Sequence, residues 1–361
     1  MKIALSATIL VTISMLSFAK TYNAPIIVDH TCTDLSKIPV TAVADAKKNL
    51  HIIYTHTSHG SQIISGMTGI QSSKKAPYTW KNGGDPDSLD LDDRYATDLG
   101  NAGWPTLSRG YLKSDPTRNV VIWSWCGQVS GADSAGIKRY TDAMSALETE
   151  YPNVHFVYMT GHLDGTGVNG TLHKMNERIR KYCRENNKAL FDFADIESYD
   201  PDGIYYLDKA VNDECKYDSD GNGSRDANWA TNWCTKNSSE CYYTGGCAHS
   251  HALNCQRKGI AAWWLWAKLA GWGSETSVLP YKSLKGEYPV QISSTRQSII
   301  IQSLTDKTIT AEIMNVSGRR LQKVTLNANQ NNFFAVQSPG IHLIKISVNG
   351  HTGLTRAIVM N

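Results

Sequence analysis

The sequence predicts an α/β protein: a three-layer α/β/α domain with a mostly parallel sheet, followed by a small C-terminal antiparallel β-sandwich. Three observations carry this. From residue 48, short β-branched and aromatic runs alternate with amphipathic helical runs, the rhythm of parallel strands covered on both faces. Two turn-rich stretches interrupt that rhythm without replacing it. After Trp272 the composition shifts to a linker and then to closely spaced alternating runs, the pattern of a sandwich.

In order, "NLHIIYTH" reads as the first strand of the repeat and "NVVIWSW", Asn119 to Trp125, as a buried strand. "IKRYTDAMSALETEY" has apolar residues at helical spacing, "NVHFVYMTG" is a strand, "TLHKMNERIRKYCREN" a helix and "KALFDFAD" a strand. "QRKGIAAWWLWAKLAGW" is a strongly apolar helix that stops at Gly271. Residues 68–118 are acidic and turn-rich and read as a long excursion forming a rim, with Tyr78, Trp80 and Trp104 on it. Residues 200–256 form a cysteine-rich insertion. Residues 274–289 read as a linker, and 290–361 as a sandwich of about seven strands.

The chain opens "MKIALSATILVTISMLSFAK", an apolar run after Lys2 that ends in Ser17-Phe18-Ala19. Residues 1–19 are expected to be a secretory signal peptide, with the domain starting at residue 20 and the protein secreted or held at a bacterial cell surface. No later run approaches the length of a membrane helix. Net charge is +3 with acids and bases interspersed, which gives no electrostatic basis for a nucleic-acid partner. All eight cysteines follow the leader, and five lie between 215 and 255. Disulfides are expected in an oxidising compartment. Because five is odd, one of these must pair elsewhere or stay free.

Five stretches could carry chemistry. In "YTHTSHGSQ" a strand runs into Ser58, Gly60 and an apolar helix. A nucleophilic serine needs such a corner, with helix N–H groups facing a developing oxyanion; His56, His59 and the serines could equally cap the helix, Ser61 most naturally. In "NVVIWSWCGQVSG", Gln128 stands at a strand end. Cys126 there has no basic neighbour in sequence and reads as a buried or bridged cysteine. In "YMTGHLDGTG", His162 and Asp164 end another strand. In "GGCAHSHALNC", His249 and His251 precede the last long helix, where a base could reach a serine from the first strand. Zinc could use Cys241, Cys247, His249, His251 and Cys255, but the spacing contains no CxxC pair and such cysteines oxidise outside the cell. In "YDSDGNGSRDANW", Asp218, Asp220, Asn222 and Asp226 fall at positions 1, 3, 5 and 9 of a calcium loop, with Trp229 where the bidentate Glu belongs. A structural Ca²⁺ is the only cofactor this suggests.

Taken in order, these stretches resemble the GDSL/SGNH hydrolase superfamily. "HTSHGSQ" stands for the first block with Ser58 as nucleophile, and Gly103 in "NAGWPTLS" for the second-block glycine. Gln128 in "WCGQ" replaces the Asn of GxND, and "CAHSHALN" is the last block, with His249 as base and His251 as substitute. "GDS" and "GxND" are absent, and no Asp stands three residues before either histidine, leaving a backbone carbonyl or a carboxylate such as Asp195 or Asp200 to orient the base. His59 and His162 then become support residues. The same stretches look like a divergent group of bacterial exported proteins. The C-terminal layout, ending "GIHLIKISVNGHTGLTRAIVMN", resembles the sorting domains that Bacteroidetes-type secretion machinery recognises. The resemblance implies an exported serine esterase acting on esters, polysaccharide esters included, with Ser58 and His249 in the chemistry and Gly103 and Gln128 at the oxyanion. The competing expectation is an inactive hydrolase-like protein that binds carbohydrate at the cell surface.

Overall fold

In the computed structural model, "HIIYTH" is a strand because nearly every side chain in it is buried, as expected of a parallel strand with both faces covered. The structure describes residues 22–74 and 76–273. Beyond these it describes the segments 290–294, 298–304, 308–315, 319–326, 331–335, 340–348 and 351–359. The signal peptide and linker expected at 1–19 and 274–289 lie outside the described residues. The chain divides into two compact units, Met1–Trp272 and Gly273–Asn361.

In the first unit, β1 (Ile26–Val28), α1 (Val40–Asn49), β2 (His51–His56), α2 (Ser61–Lys74), β3 (Trp80–Lys81) and β4 (Leu89–Tyr95) come first. They are followed by α3 (Trp104–Ser114), β5 (Val120–Trp123), α4 (Ser134–Glu150), β6 (His155–Met159), α5 (Thr171–Glu185), β7 (Ala189–Phe191) and α6 (Phe193–Ser198). A short hairpin, β8 (Lys216–Tyr217) with β9 (Ala227–Asn228), leads to α7 (Trp229–Lys236) and α8 (Ala252–Leu269). The main sheet has the order β1-β7-β6-β5-β2-β4-β3, and every pairing in it is parallel. Helices α1, α2 and α8 pack together on one face, and α3, α4 and α5 on the other. The expected three layers are present.

Three strands of the main sheet escape a reading of the sequence alone, among them the two-residue β3. β1 is only three residues long. β4 lies inside the stretch read as an excursion, because its "LDLDDRY" alternates apolar residues with acids. Those acids are paired: Asp90 takes hydrogen bonds from His51 (2.8 Å) and Arg118 (2.8 Å), and Asp93 pairs with His56 (2.6 Å). Pairing removes most of the cost of burying a charge. Of the expected rim aromatics, Trp104 is buried within the core and Tyr78 and Trp80 pack against it.

The helices α2 and α8 cross at two glycines. A Cβ on Gly66 would stand 1.8 Å from the carbonyl oxygen of Cys255, and one on Gly259 would stand 2.3 Å from the carbonyl carbon of Gly66. The backbones therefore touch, and α8 is seated low enough to bury even Lys258.

The second unit holds β10 (Val290–Ser294), β11 (Ser298–Ser303), β12 (Ile309–Met314), β13 (Arg320–Leu326), β14 (Asn331–Ala335), β15 (Gly340–Val348) and β16 (His351–Val359). They form antiparallel sheets ordered β10-β11-β14 and β13-β12-β15-β16. Alternate residues such as Ile299, Ile301, Ile309, Ala311 and Ile344 make a core of their own.

Gly66→Ala tests the helix crossing. A methyl group facing backbone at this distance forces the helices apart, and overpacking of this kind costs about 1–3 kcal/mol. Urea unfolding of the variant should show that loss, while Gly110→Ala, whose added methyl meets open space, should not.

Candidate active site

The five central strands run in the order β4-β2-β5-β6-β7, so the chain leaves β2 to one side for β4 and returns to the other side for β5. Ligands of open parallel sheets bind outside the carboxyl ends of strands at such a reversal. The residues following β2 and β5 meet there. Asp98 holds the two ends together, accepting from Thr57 N (2.9 Å) and from the Thr57 and Ser124 hydroxyls. Gly60 makes the approach possible, since a Cβ there would stand 2.2 Å from Ser124 Oγ and 2.3 Å from His56 Cβ.

That close approach brings His59 against Cys126. His59 Nδ1 lies 3.2 Å from Cys126 Sγ, and His59 Nε2 lies 2.9 Å from Asp213 Oδ2. Cys126 is unpaired and partly exposed. A carboxylate oxygen can only accept here, so Nε2 carries the hydrogen and Nδ1 turns its lone pair to the thiol. Thiol, imidazole and carboxylate thus stand in line. Asp213 is held in place through its backbone: its N–H donates to Leu163 O (3.1 Å), and its carbonyl accepts from Ser250 Oγ (2.6 Å).

Two further imidazoles lie parallel to His59, that of His162 at 3.6 Å and that of His249 at 4.3 Å between centroids. Both cannot occupy one face, so His59 lies between them. Burial lowers the His59 pKa, Asp213 opposes this, and His162 and His249 lower it further. Burial would raise the Asp213 pKa, but the hydrogen bond from His59 and the nearby positive groups outweigh it and hold it low. Both shifts favour a neutral His59 beside an ionised Asp213.

Not every expected partnership forms. Ser58 Oγ faces Cys126 Sγ at 3.7 Å rather than an imidazole nitrogen. His249, with a left-handed φ of 58°, is exposed and stacks on His59, so it does not meet Ser58 as a base. His251 caps α8, accepting from Leu253 N at 3.2 Å. Asp195 pairs with His30, and Asp200 folds its own loop by accepting from Asp202 and Ile204 N–H groups, so neither orients His249. Gln128 Oε1 accepts from Cys126 N at 2.7 Å, and Gly103 starts α3 with a φ of 101°; both line a groove with Trp104 and Tyr140. Asp164 accepts locally from Thr166. Ser61 donates to the Ser58 carbonyl at 2.6 Å.

The view that Cys126 lacks a basic partner is corrected by His59. The two residues are far apart in sequence and adjacent only after β2 and β5 pair. Asp213, within the insertion, has no motif that marks it. The cysteine cluster forms the disulfides Cys234–Cys241 and Cys247–Cys255, which removes those sulfurs from any zinc site. The odd cysteine of the five is Cys215, buried and free.

His59, His162 and Asp213 do place ligand atoms within 4.8 Å of one another. However, imidazole lone pairs lie in the ring plane, and the rings are 2° from parallel at 3.6 Å, so the two do not point at one ion. The grouping of Asp29, His30 and Asp195 is spent on the turn after β1, where Asp29 accepts from Thr31 N and Asp195 from His30 N. In the calcium-like loop, Asp218 accepts Gly221, Asn222 and Gly223 N–H groups. Asp226 uses both oxygens on Ser219, and Asn222 Nδ2 donates to Asp220. These four side chains are engaged in folding the loop.

No family model matches the chain, and no curated protein does. Among solved structures it is similar to a member of the lipolytic protein G-D-S-L family from Veillonella parvula DSM 2008. That match has 12% identity and a TM-score of 0.30, over 59% of this chain and 96% of that one. It is also similar to a Cellulomonas fimi endo-beta-1,4-mannanase double mutant, at 12% identity and a TM-score of 0.21, over 85% of this chain and 64% of that one. Likenesses at these TM-scores assign no function.

Beneath the site, Lys258 Nζ donates to Glu197 Oε1 (2.5 Å) and to Gln62, and Glu197 Oε2 accepts from Leu163 N (2.7 Å). Lys258→Met leaves the Glu197 charge buried without its cation, and should cost about 3–5 kcal/mol in urea unfolding. Lys258→Met combined with Glu197→Leu should recover much of that loss.

Proposed function

We propose that this protein is a thiol hydrolase that cleaves acyl bonds with Cys126 as nucleophile, His59 as general base and Asp213 as the group orienting His59. The observation that carries this reading is the line from Cys126 Sγ through both nitrogens of His59 to Asp213, at 3.2 and 2.9 Å. In the reaction, His59 Nδ1 takes the thiol proton and Sγ attacks the acyl carbonyl carbon. The tetrahedral intermediate collapses, and the leaving group departs with the proton from His59. Water, deprotonated by His59, then attacks the thioester, releasing the acid and restoring the thiol.

The N–H groups of Ser58, His59 and Gly60 have no acceptor among the described residues and precede α2, so they and the Ser58 hydroxyl can face the developing oxyanion. Ser58 thereby keeps a place in the site as a supporting donor instead of the nucleophile. A role outside the cell is part of the reading, supported by the leader-like N-terminus and two disulfides. On that reading, residues 290–361 serve export through secretion machinery. Esters carried on polysaccharides belong to the acyl compounds such a thiol cleaves.

Cys126→Ala should abolish hydrolysis of 4-nitrophenyl butyrate and labelling by iodoacetamide. Asp213→Asn should lower kcat/KM by about 10²–10⁴-fold. Ser58→Ala should lower it by about ten-fold and leave labelling in place. Abolition by Ser58→Ala with activity surviving Cys126→Ala would transfer the nucleophile to Ser58.

Protonated His59 cannot accept the thiol proton, and its pKa lies below the ordinary 6.5. The pH profile of kcat/KM should therefore stay level as pH falls through 6.5 and decline only below it. A decline centred above 6.5 would contradict the assignment.

A further inference from the structure

A groove of about 690 Å³ lies between the start of α3 and the start of α4. Trp125 and Gln128, on either side of Cys126, line it, as do Gly103, Trp104, Tyr140 and Arg139. These aromatic residues are largely buried. Arg139 is exposed and, like Arg178, has no acid partner among the described residues, and it is Arg139 that lines the groove. Asp133, the one acid lining the groove, caps α4 by accepting from Gly136 N at 2.7 Å.

An unpaired guanidinium in a groove that aromatic residues and the sequence neighbours of Cys126 also line has the chemistry of a carboxylate clamp. It offers paired N–H donors to a planar anion, while the walls take the hydrocarbon part of the same group. We propose that the groove is an acyl subsite and that Arg139 selects acyl groups bearing a carboxylate. The inference rests on Cys126 being the nucleophile. Arg139 is a specificity residue that holds the acyl group and takes no part in proton transfer.

The test compares the 4-nitrophenyl monoester of glutaric acid with 4-nitrophenyl butyrate on the full chain. In each case the acyl carbon passes to sulfur, 4-nitrophenol leaves, and water releases glutarate or butyrate. The wild type should prefer the charged ester. In Arg139→Gln the ratio of the two kcat/KM values should fall about ten-fold, mainly through KM, and Arg139→Lys should recover part of it. Added glutarate should slow iodoacetamide labelling of Cys126 in the wild type and not in Arg139→Gln. If the butyrate ester is cleaved through Cys126 but the ratio is the same in wild type and Arg139→Gln, the clamp is wrong and the thiol reading stands. If neither ester is cleaved and Cys126 resists labelling in the folded protein, the thiol reading falls and takes the clamp with it.

Discussion

A lysine and a glutamate with no solvent exposure hold the floor of the site together. Lys258 and Glu197 are each 0% exposed, and every polar atom of the pair reaches a different segment. Lys258 ties α8 to α6 and, through Gln62, to α2; Gln62 in turn donates to Ala248 O (2.5 Å). Glu197 holds Leu163 N, next to His162, and accepts weakly from Asn254, which also donates to Ser250 Oγ at 2.7 Å. Burial lowers the Lys258 pKa, and the Glu197 charge beside it opposes that shift. Such a pair contributes little net stability, because desolvation offsets most of the attraction. It does fix geometry: the loops bearing His162, His249 and Asp213 are all anchored to it within one or two hydrogen bonds.

The pair can exist only because α8 lies so close to α2. Gly66 and Gly259 let the two backbones touch, and that contact buries the Lys258 ammonium over the Phe193 ring at 3.7 Å. Packing at one crossing therefore reaches the chemistry through a short chain of contacts. The close crossing buries the ion pair, the ion pair anchors the loops, and the loops fix the side chains around His59.

Electrostatics at the site oppose one another. Asp213 favours a protonated His59, while burial and two neighbouring imidazoles disfavour it. The outcome is an imidazole favoured in its neutral form beside a carboxylate that would stabilise its charged form. General bases work best when their resting state accepts protons readily and their charged state is not prohibitive. The free thiol, the stacked histidines and the unpaired Arg139 all lie outside the carboxyl ends of the strands, where parallel sheets leave backbone and loops to build sites.

The sequence by itself determined the layers. Buried strands such as "VVIW" and "HFVYM", the apolar "GIAAWWLW" and the period-2 runs after residue 290 can satisfy their apolar faces in few ways, so periodicity alone reveals them. It also pointed to the corner after β2, since Ser58, His59 and Gly60 mark a tight strand-to-helix turn. It could not show β4, whose acids read as loop until His51, His56 and Arg118 are seen to pair with them. Nor could it bring together the thiol, the imidazole and the carboxylate. Cys126, His59 and Asp213 come from three separate loops, and none is near another until parallel pairing sets β2 beside β5 and the disulfide-braced insertion folds back. Local sequence encodes which face of an element is buried. Which side chains then meet across a sheet depends on strand order and on the close helix contact below it, and those are properties of the folded chain.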